Sequence, residues 1–326
     1  MAKKGKKVCI LGAGNVGATI AYTLVIQGIA SEIVLVDINE DKAKGQAMDI
    51  IQGTAFSKQI NLYAGGYENA ADADIVVVTV GVGRKPGQSR LDLAQSNVDT
   101  IKEMIPLAVK YAPDAVYVVV SNPVDILTYV ITQISGLPRH RVIGSGTILD
   151  SARLRSALAT HVELATQNVH AYVLGEHGDT SVIPWSLASI AGTEIKKYCE
   201  GACDSAHSLT RRDLENIEDD VRTAGAKVIA CKGSTFYAVA LSVQRICEAI
   251  LRDTDSVLTV SSLLQGQYGI HDICLSLPYV IGSRGIKRCI TPPLTAEEER
   301  MLHISADSLK SVRDLCNFQT APTSKK

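Results

Sequence analysis

The sequence predicts an α/β protein in which a doubly wound parallel sheet is followed by a mixed α+β domain. The first half alternates short β-branched runs with helical patterns, and this alternation is typical of βαβ units. Its strand candidates are almost wholly apolar, as expected of strands that helices cover on both faces. The pattern changes character after about Gly146. We therefore place two domains, at residues 1–146 and 147–326.

The elements follow from these patterns in chain order. In the first half we predict strands at residues 7–11, 33–36, 75–80 and 116–120 and helices at 16–27 and 40–52. In the second half we predict strands at residues 168–174, 258–263 and 286–290 and helices at 151–160, 235–251 and 295–312. A long amphipathic helix before Gly233 is indicated by apolar residues at helical spacing, Ile217, Val221, Ala224 and Val228.

Composition and charge exclude several classes of protein. The 33 basic and 34 acidic residues leave a formal charge of -1, so neither nucleic acid nor an anionic membrane is an expected partner. The most apolar runs are far shorter than the roughly 18 to 20 residues that a membrane span needs. None of the eight cysteines forms a CxxC pair or completes a metal-binding cluster. We expect a soluble, cytoplasmic protein with reduced thiols and no metal site.

A glycine-rich motif follows the first predicted strand and opens the first predicted helix. The motif GAGNVG supplies five candidate cofactor-binding residues, Gly12, Gly14, Asn15, Val16 and Gly17. In this context the glycines permit a tight turn, close approach to a pyrophosphate and packing of helix on strand. Simple turning of the backbone is the alternative. The strand, glycines and helix together predict a Rossmann-type dinucleotide-binding domain.

An acidic residue at the end of the second strand indicates which dinucleotide binds. Asp37 lies 20 residues after Gly17, where a carboxylate binds the ribose hydroxyls and repels a 2′-phosphate. The sequence therefore favours NAD over NADP as the cofactor. A role as helix N-cap or turn residue is the alternative for Asp37.

Four further segments carry a family resemblance. They are RLDL from Arg90, SNPVD from Ser121, LDSARLR from Leu149 and GEHGD from Gly175. Together with the glycine motif, they resemble the L-lactate/L-malate dehydrogenase family, and the resemblance runs from Lys7 to the last predicted helix. It implies a substrate domain in the second half and hydride transfer between NADH and a small 2-keto acid.

Reduction of a keto group needs a proton donor, and the near-neutral pKa of histidine suits this task. His177 matches the family's acid/base residue, and Asp150 matches the carboxylate that orients it. Arg153 lies three residues after Asp150 and matches the arginine that binds the substrate carboxylate through a bidentate fork. The alternatives are a loop histidine for His177, a helix N-cap for Asp150 and a solvated surface cation for Arg153.

The resemblance assigns further residues around the substrate. Arg90 matches the arginine that polarises the substrate carbonyl, and it follows a glycine-rich stretch, residues 81–87, that resembles a closing lid. Asn122 matches a residue on the carbonyl side, and both Asn122 and Gly81 are expected to contact the cofactor. Thr235 matches the residue that lines the pocket for the substrate side chain.

The sequence leaves the choice of substrate open. Arg84 occupies the position where lactate enzymes carry glutamine and malate enzymes carry arginine, and a cation there would pair with the second carboxylate of oxaloacetate. RLDL and Thr235 are instead typical of the lactate enzymes. We favour pyruvate as the substrate. A malate or dual-specificity enzyme is the alternative, and a non-catalytic NAD-binding protein is a more distant one.

A pair of residues in the second half resembles an effector site. Arg155 and His170 match the residues with which bacterial members of the family bind fructose 1,6-bisphosphate at a subunit interface. Two cationic side chains, doubled by a symmetry axis, would hold two phosphates. The family also suggests a homotetramer.

Overall fold

The computed structural model describes residues 5–81, 90–201 and 209–317. Its strands are β1 Lys7–Leu11, β2 Glu32–Val36, β3 Asn61–Ala64, β4 Ile75–Val78, β5 Val116–Val119, β6 Val142–Gly144, β7 Val169–His170, β8 Ser189–Ile190, β9 Thr193–Glu194, β10 Ser256–Gln265, β11 His271–Gly282 and β12 Gly285–Cys289. Its helices are α1 Asn15–Gln27, α2 Glu40–Gly53, α3 Arg90–Tyr111, α4 Val124–Ile134, α5 Ile148–His161, α6 Ile195–Gly201, α7 Arg211–Lys232, α8 Tyr237–Arg252 and α9 Ala296–Leu315.

Six strands of the first half form a parallel sheet in the order β3-β2-β1-β4-β5-β6. This order is that of a doubly wound dinucleotide-binding fold. The order of the strands reverses between β1 and β4. Ligands of such sheets bind at this switch point, beyond the carboxyl ends of the strands. The predicted Rossmann-type fold is confirmed.

The apolar strand sequences are explained by burial on both faces of the sheet. Ile10, Val77 and Val118, on the three central strands, have no exposed surface. β-branched side chains pack well on such a pleated surface. The central strands therefore form a rigid base for the loops that follow them.

The second half of the chain extends the same sheet. β10 pairs antiparallel with β6 through Ser261 and Gly144, and β11 and β12 add two further antiparallel strands. A separate three-stranded sheet contains β7, β8 and β9. The predicted mixed α+β second half is confirmed, and the proposed boundary at residue 146 lies between β6 and α5.

The predicted strand at residues 168–174 is wrong over most of its length. Only Val169 and His170 form β7, and the following residues contribute an isolated bridge between Leu174 and Val182. The Val173 N–H donates to Ser151 Oγ at 2.9 Å, and its carbonyl accepts from Thr147 Oγ1 at 2.5 Å. The backbone of Val173 is therefore hydrogen-bonded to side chains of α5 and its N-cap. The apolar pattern had instead predicted that it would pair in a sheet.

The structure adds one long strand that the sequence pattern did not predict. β11 contains Pro278, which pairs with Thr259, and proline within a run argues against a strand. Of the described helices, none combines the length and the apolar character that crossing a membrane requires. The described residues also contain no group of three or more His, Cys, Asp or Glu side chains suited to a metal ion.

Candidate active site

The glycine motif forms the loop between β1 and α1. Gly12 has a φ of +103°, and a Cβ there would lie 2.8 Å from Thr79 Oγ1. A Cβ on Gly17 would lie 1.9 Å from the carbonyl oxygen of Gly12. Neither position tolerates a side chain, because the loop backbone touches the start of the helix and β4 simultaneously. The predicted roles in turning and in helix packing agree with this geometry.

Gly14 differs from the other two glycines. It is the N-cap of α1, and the nearest heavy atom to a Cβ built there is Lys42 Nζ at 4.0 Å. No contact within the described chain therefore requires this glycine, and the open space suits a ligand that approaches the backbone closely. The first N–H groups of α1, including those of Asn15 and Val16, lack acceptors within the helix. The pyrophosphate of a dinucleotide fits this arrangement.

Asp37 follows β2 and faces the glycine loop. Its Oδ2 accepts a hydrogen bond from the Ala13 N–H at 2.6 Å, and its Oδ1 accepts one from the Asn39 N–H at 2.9 Å. Asn39, rather than Asp37, is the N-cap of α2. The carboxylate is thus fixed beside the loop, as binding of the ribose hydroxyls requires.

The ends of β4 and β5 are joined by Asn97, which the sequence analysis did not identify. A Cβ on Gly81 would lie 3.0 Å from Asn97 Oδ1, and Asn97 Nδ2 donates to the carbonyl oxygen of Asn122 at 2.7 Å. Asn97 is buried on α3, whereas Asn122 is exposed at the rim. The buried amide of Asn97 therefore lies close to Gly81 and binds Asn122, the two predicted cofactor contacts.

The structure brings His177, Asp150 and Arg153 together. His177 Nδ1 lies 2.5 Å from Asp150 Oδ2, and Arg153 Nη1 lies 2.8 Å from Asp150 Oδ1. Asp150 and Arg153 are one turn apart near the start of α5, whose N-cap is Thr147, so Asp150 does not cap the helix. The two oxygens of one buried carboxylate thus hold an imidazole and a guanidinium beside each other.

The electrostatics of this group favour a charged imidazole. Burial alone lowers the pKa of His177, but the charge and hydrogen bond of Asp150 outweigh it, and the net pKa lies above the ordinary value. Burial alone raises the pKa of Asp150, whereas His177 and Arg153 bring it below its usual range. Nδ1 is engaged by Asp150, which leaves Nε2 as the ring nitrogen that is available to exchange a proton. The arrangement therefore stabilises the protonated imidazole, the form that can donate a proton.

Asp125 is a second residue that the sequence analysis missed, although it belongs to the segment SNPVD. It lies in the first turn of α4 and is buried, with 2% of its surface exposed. Its Oδ2 accepts from the backbone N–H of His177 at 2.8 Å, and its Oδ1 accepts from Ser261 Oγ at 2.6 Å. The available signal was that Asp125 is the one charged residue of α4.

Thr235 lies in the connection between α7 and α8. The neighbouring Ser234 accepts a hydrogen bond from Asn15 Nδ2 at 3.4 Å, which places this connection beside the glycine loop. Phe236, rather than Thr235, is the N-cap of α8. Arg90 is the first residue of α3, but its side chain and residues 82–89, including Arg84, lie outside the described residues.

Arg155 and His170 lie on neighbouring elements. Arg155 Nε donates to the carbonyl oxygen of Val169 at 3.1 Å, which joins α5 to β7. His170 is the next residue of β7 and its side chain is exposed. The two predicted effector residues are therefore adjacent in space.

Comparison with known proteins identifies the family. Residues 6–144 match a family model for the NAD-binding domain of lactate/malate dehydrogenases, and residues 147–317 match the model for their α/β C-terminal domain. L-lactate dehydrogenase 1 of Clostridium acetobutylicum is 48% identical, covering 96% of this chain and 99% of its own. L-lactate dehydrogenase of Acetivibrio thermocellus is also 48% identical, and the match covers 94% of this chain and 96% of that protein.

Solved structures agree with the sequence comparison. The ligand-bound minor L-lactate dehydrogenase of Enterococcus mundtii has a TM-score of 0.93 and 40% identity, covering 97% of this chain and 100% of that one. Its ligand-free form has a TM-score of 0.89 and 39% identity, covering 98% and 100%. With both of its halves matched by the family models, the chain belongs to the lactate/malate dehydrogenase family.

Proposed function

We propose that this protein is an L-lactate dehydrogenase, which interconverts pyruvate and L-lactate with NADH and NAD as the redox pair. The observation that carries the proposal is the Asp150 carboxylate holding His177 on one oxygen and Arg153 on the other. A proton donor and a carboxylate-binding group are thus placed side by side, as reduction of a 2-keto acid requires. The names of the similar bacterial enzymes support the same activity.

The residues divide the reaction between them. Arg153 binds the substrate carboxylate through two parallel N–H bonds, and Arg90 stabilises the charge that develops on the carbonyl oxygen. The glycine loop and Asp37 would hold NADH, which would supply the hydride for the carbonyl carbon. His177 donates its Nε2 proton to the carbonyl oxygen, which gives the hydroxyl group of lactate. The neutral imidazole then regains a proton from solvent.

Malate dehydrogenase activity is the second candidate. Arg84 favours it, because a cation near the side chain of the substrate would bind the second carboxylate of oxaloacetate. Thr235 and the segment RLDL favour pyruvate, since both are typical of the lactate enzymes of the family.

We expect kcat/KM for NADH oxidation to be higher with pyruvate than with oxaloacetate. We also expect the Arg84→Gln variant to increase this preference, because it removes the only proposed partner for a second carboxylate. Steady-state kinetics with both keto acids measures the ratio. A ratio in favour of oxaloacetate in the unmodified enzyme would establish a malate dehydrogenase. NADH binding without turnover of either keto acid would support the non-catalytic alternative.

We further propose that the enzyme is a homotetramer with a fructose 1,6-bisphosphate site at Arg155 and His170. The Arg155 side chain binds the carbonyl of Val169, the residue before His170, and this proximity supports the effector site. A groove between α1 and α8 is lined by four large apolar side chains that are 50% to 66% exposed: Tyr22, Ile26, Tyr237 and Leu241. This exposed apolar groove supports self-association. Clustered exposed apolar side chains are typical of association surfaces.

We expect fructose 1,6-bisphosphate to raise kcat/KM for pyruvate, and we expect the Arg155→Ala variant to bring the activation ratio close to one. Arg300→Ala is a matched control, because Arg300 lies on α9 and pairs with Glu297 on the same helix. Assays with and without the effector give the ratio for each variant. Equal activation of the Arg155→Ala variant and the unmodified enzyme would remove this effector site.

The remaining assignments follow from the proposed reaction. Residues 1–146 would form the NAD-binding domain and residues 147–326 the substrate domain. The enzyme would regenerate the NAD that glycolysis consumes, as a fermentation step in the cytoplasm. The free cysteines among the described residues suit a reducing compartment.

A further inference from the structure

The loop that carries His177 is anchored through two consecutive backbone N–H groups. The Glu176 N–H donates to Ser305 Oγ on α9 at 2.8 Å, and the His177 N–H donates to Asp125 Oδ2 on α4 at 2.8 Å. Both acceptors are buried, at 0% and 2% exposure. One anchor is a neutral hydroxyl and the other is a carboxyl group, although a neutral acceptor is sufficient to satisfy a backbone N–H.

The surroundings of Asp125 make a charge there costly. Among the described residues, no lysine or arginine lies within ion-pair distance of its carboxylate, and its neighbours Val124, Ile126 and Leu127 are buried. Burial raises the pKa of Asp125 to about 6, against the hydrogen bonds from Ser261 and His177 that lower it. The charged form of Asp125 is therefore held at a cost that a neutral acceptor would avoid.

The positive group that Asp125 faces is the imidazole of His177. Charge on Asp125 raises the pKa of His177, in addition to the larger contribution of Asp150, while burial and Arg153 lower it. Glu176, which lies next to His177 in the loop, raises the pKa of Asp125 through its negative charge. Cys274 on β11 also lies near Asp125, and the pKa of its thiol is raised first by burial and then by the charge of Asp125.

We propose that Asp125 is a positioning residue, which fixes the His177 loop to the cofactor-binding half and places a second negative charge beside the imidazole. The proposal rests on the proposed role of His177. Asp150 orients the ring through Nδ1, and Asp125 orients the backbone from which that ring projects. A neutral anchor would perform the second task but would leave the proton on His177 less firmly held.

The Asp125→Asn variant isolates the charge. Asparagine Oδ1 can accept from the His177 N–H while Nδ2 donates to Ser261 Oγ, so both hydrogen bonds have a replacement. Reduction of the keto acid needs protonated His177, so kcat/KM falls as the pH rises through the pKa of that residue. We expect the variant to move this fall to lower pH by on the order of one pH unit. The rate at higher pH then decreases about tenfold.

Thermal stability gives an independent measurement on the same variant. The pKa of Asp125 is higher in the folded chain than in the unfolded chain, so its ionisation weakens folding as the pH rises towards about 6. Asparagine removes this unfavourable term, and we expect Tm at pH 8 to be unchanged or higher. A residue that served stability alone would lower Tm when it was replaced.

Ser305→Ala is the matched control, because it removes the neutral anchor of the same loop and leaves both carboxylates in place. We expect its pH midpoint to equal that of the unmodified enzyme. Ser261→Ala, which removes one hydrogen bond from Asp125, should move the midpoint in the same direction as Asp125→Asn but by less, and it serves if Asp125→Asn does not fold. Equal midpoints in all these variants would overturn the proposal. Full turnover by a His177→Asn variant would instead refute the role of His177 itself.

Discussion

Replacing His177 with asparagine is expected to reduce kcat for pyruvate reduction by about 10²- to 10⁴-fold, the usual contribution of a positioned acid or base. Asparagine has no proton to transfer in this pH range, although it occupies a similar volume. Its amide can still donate to Asp150, whose oxygen lies 2.5 Å from His177 Nδ1, so the buried carboxylate keeps a hydrogen-bond partner. The loss therefore falls on proton transfer rather than on folding.

Two measurements separate this effect from a general defect. Fluorescence titration should give an unchanged Kd for NADH, because the glycine loop and Asp37 have no contact with the substituted ring among the described residues. His303→Asn is the matched control, since His303 is exposed on α9 and should retain full kcat. A His177→Asn variant with more than a tenth of the normal kcat would show that another group transfers the proton.

Replacing Arg153 with lysine is expected to lower kcat/KM for pyruvate by about 10²-fold, which corresponds to about 3 kcal/mol. Lysine retains the charge but cannot form two parallel bonds to a carboxylate. It also reaches Asp150 Oδ1 less well than Arg153 Nη1, which lies 2.8 Å away. We expect most of the loss to appear in KM, because substrate binding is the main role of this side chain.

The pH profile distinguishes Arg153 from the two carboxylates around His177. A cation remains at this position in the Arg153→Lys variant, so the pH midpoint of kcat/KM should move little while its magnitude falls. Arg300→Lys provides the control for the same exchange at an exposed site. An unchanged KM together with a large shift of the midpoint would mean that Arg153 acts through Asp150 and does not bind the substrate.

The sequence predicted best where one local pattern determines both structure and function. β1, the glycine loop and α1 were predicted to within one residue, because their apolar periodicity and their glycines are contiguous. Asp150 and Arg153 were identified through the family resemblance, and their spacing of three residues agrees with one helix face.

The errors concern contacts between residues that are far apart in the chain. The backbone N–H and carbonyl of Val173 are hydrogen-bonded to Ser151 on α5 and to its N-cap Thr147. An apolar run that is typical of a strand therefore lies in a loop. The partners of Asp125, His177 and Ser261, are 52 and 136 residues away. No periodicity within SNPVD reports such partners, and the function of that carboxylate becomes visible only when the segments are assembled.

The pairing of β6 with β10 has a mechanical consequence. The pair Ser261–Gly144 joins β10 of the second half to β6 of the cofactor-binding half, and within the second half Gly175 pairs with Ser276 on β11. The two halves cannot separate along β6 and β10 without breaking this pairing. The backbone two residues before His177 is therefore tied to the same nine-stranded sheet whose β1 leads into the glycine loop, so the loop and the imidazole are positioned by one continuous framework.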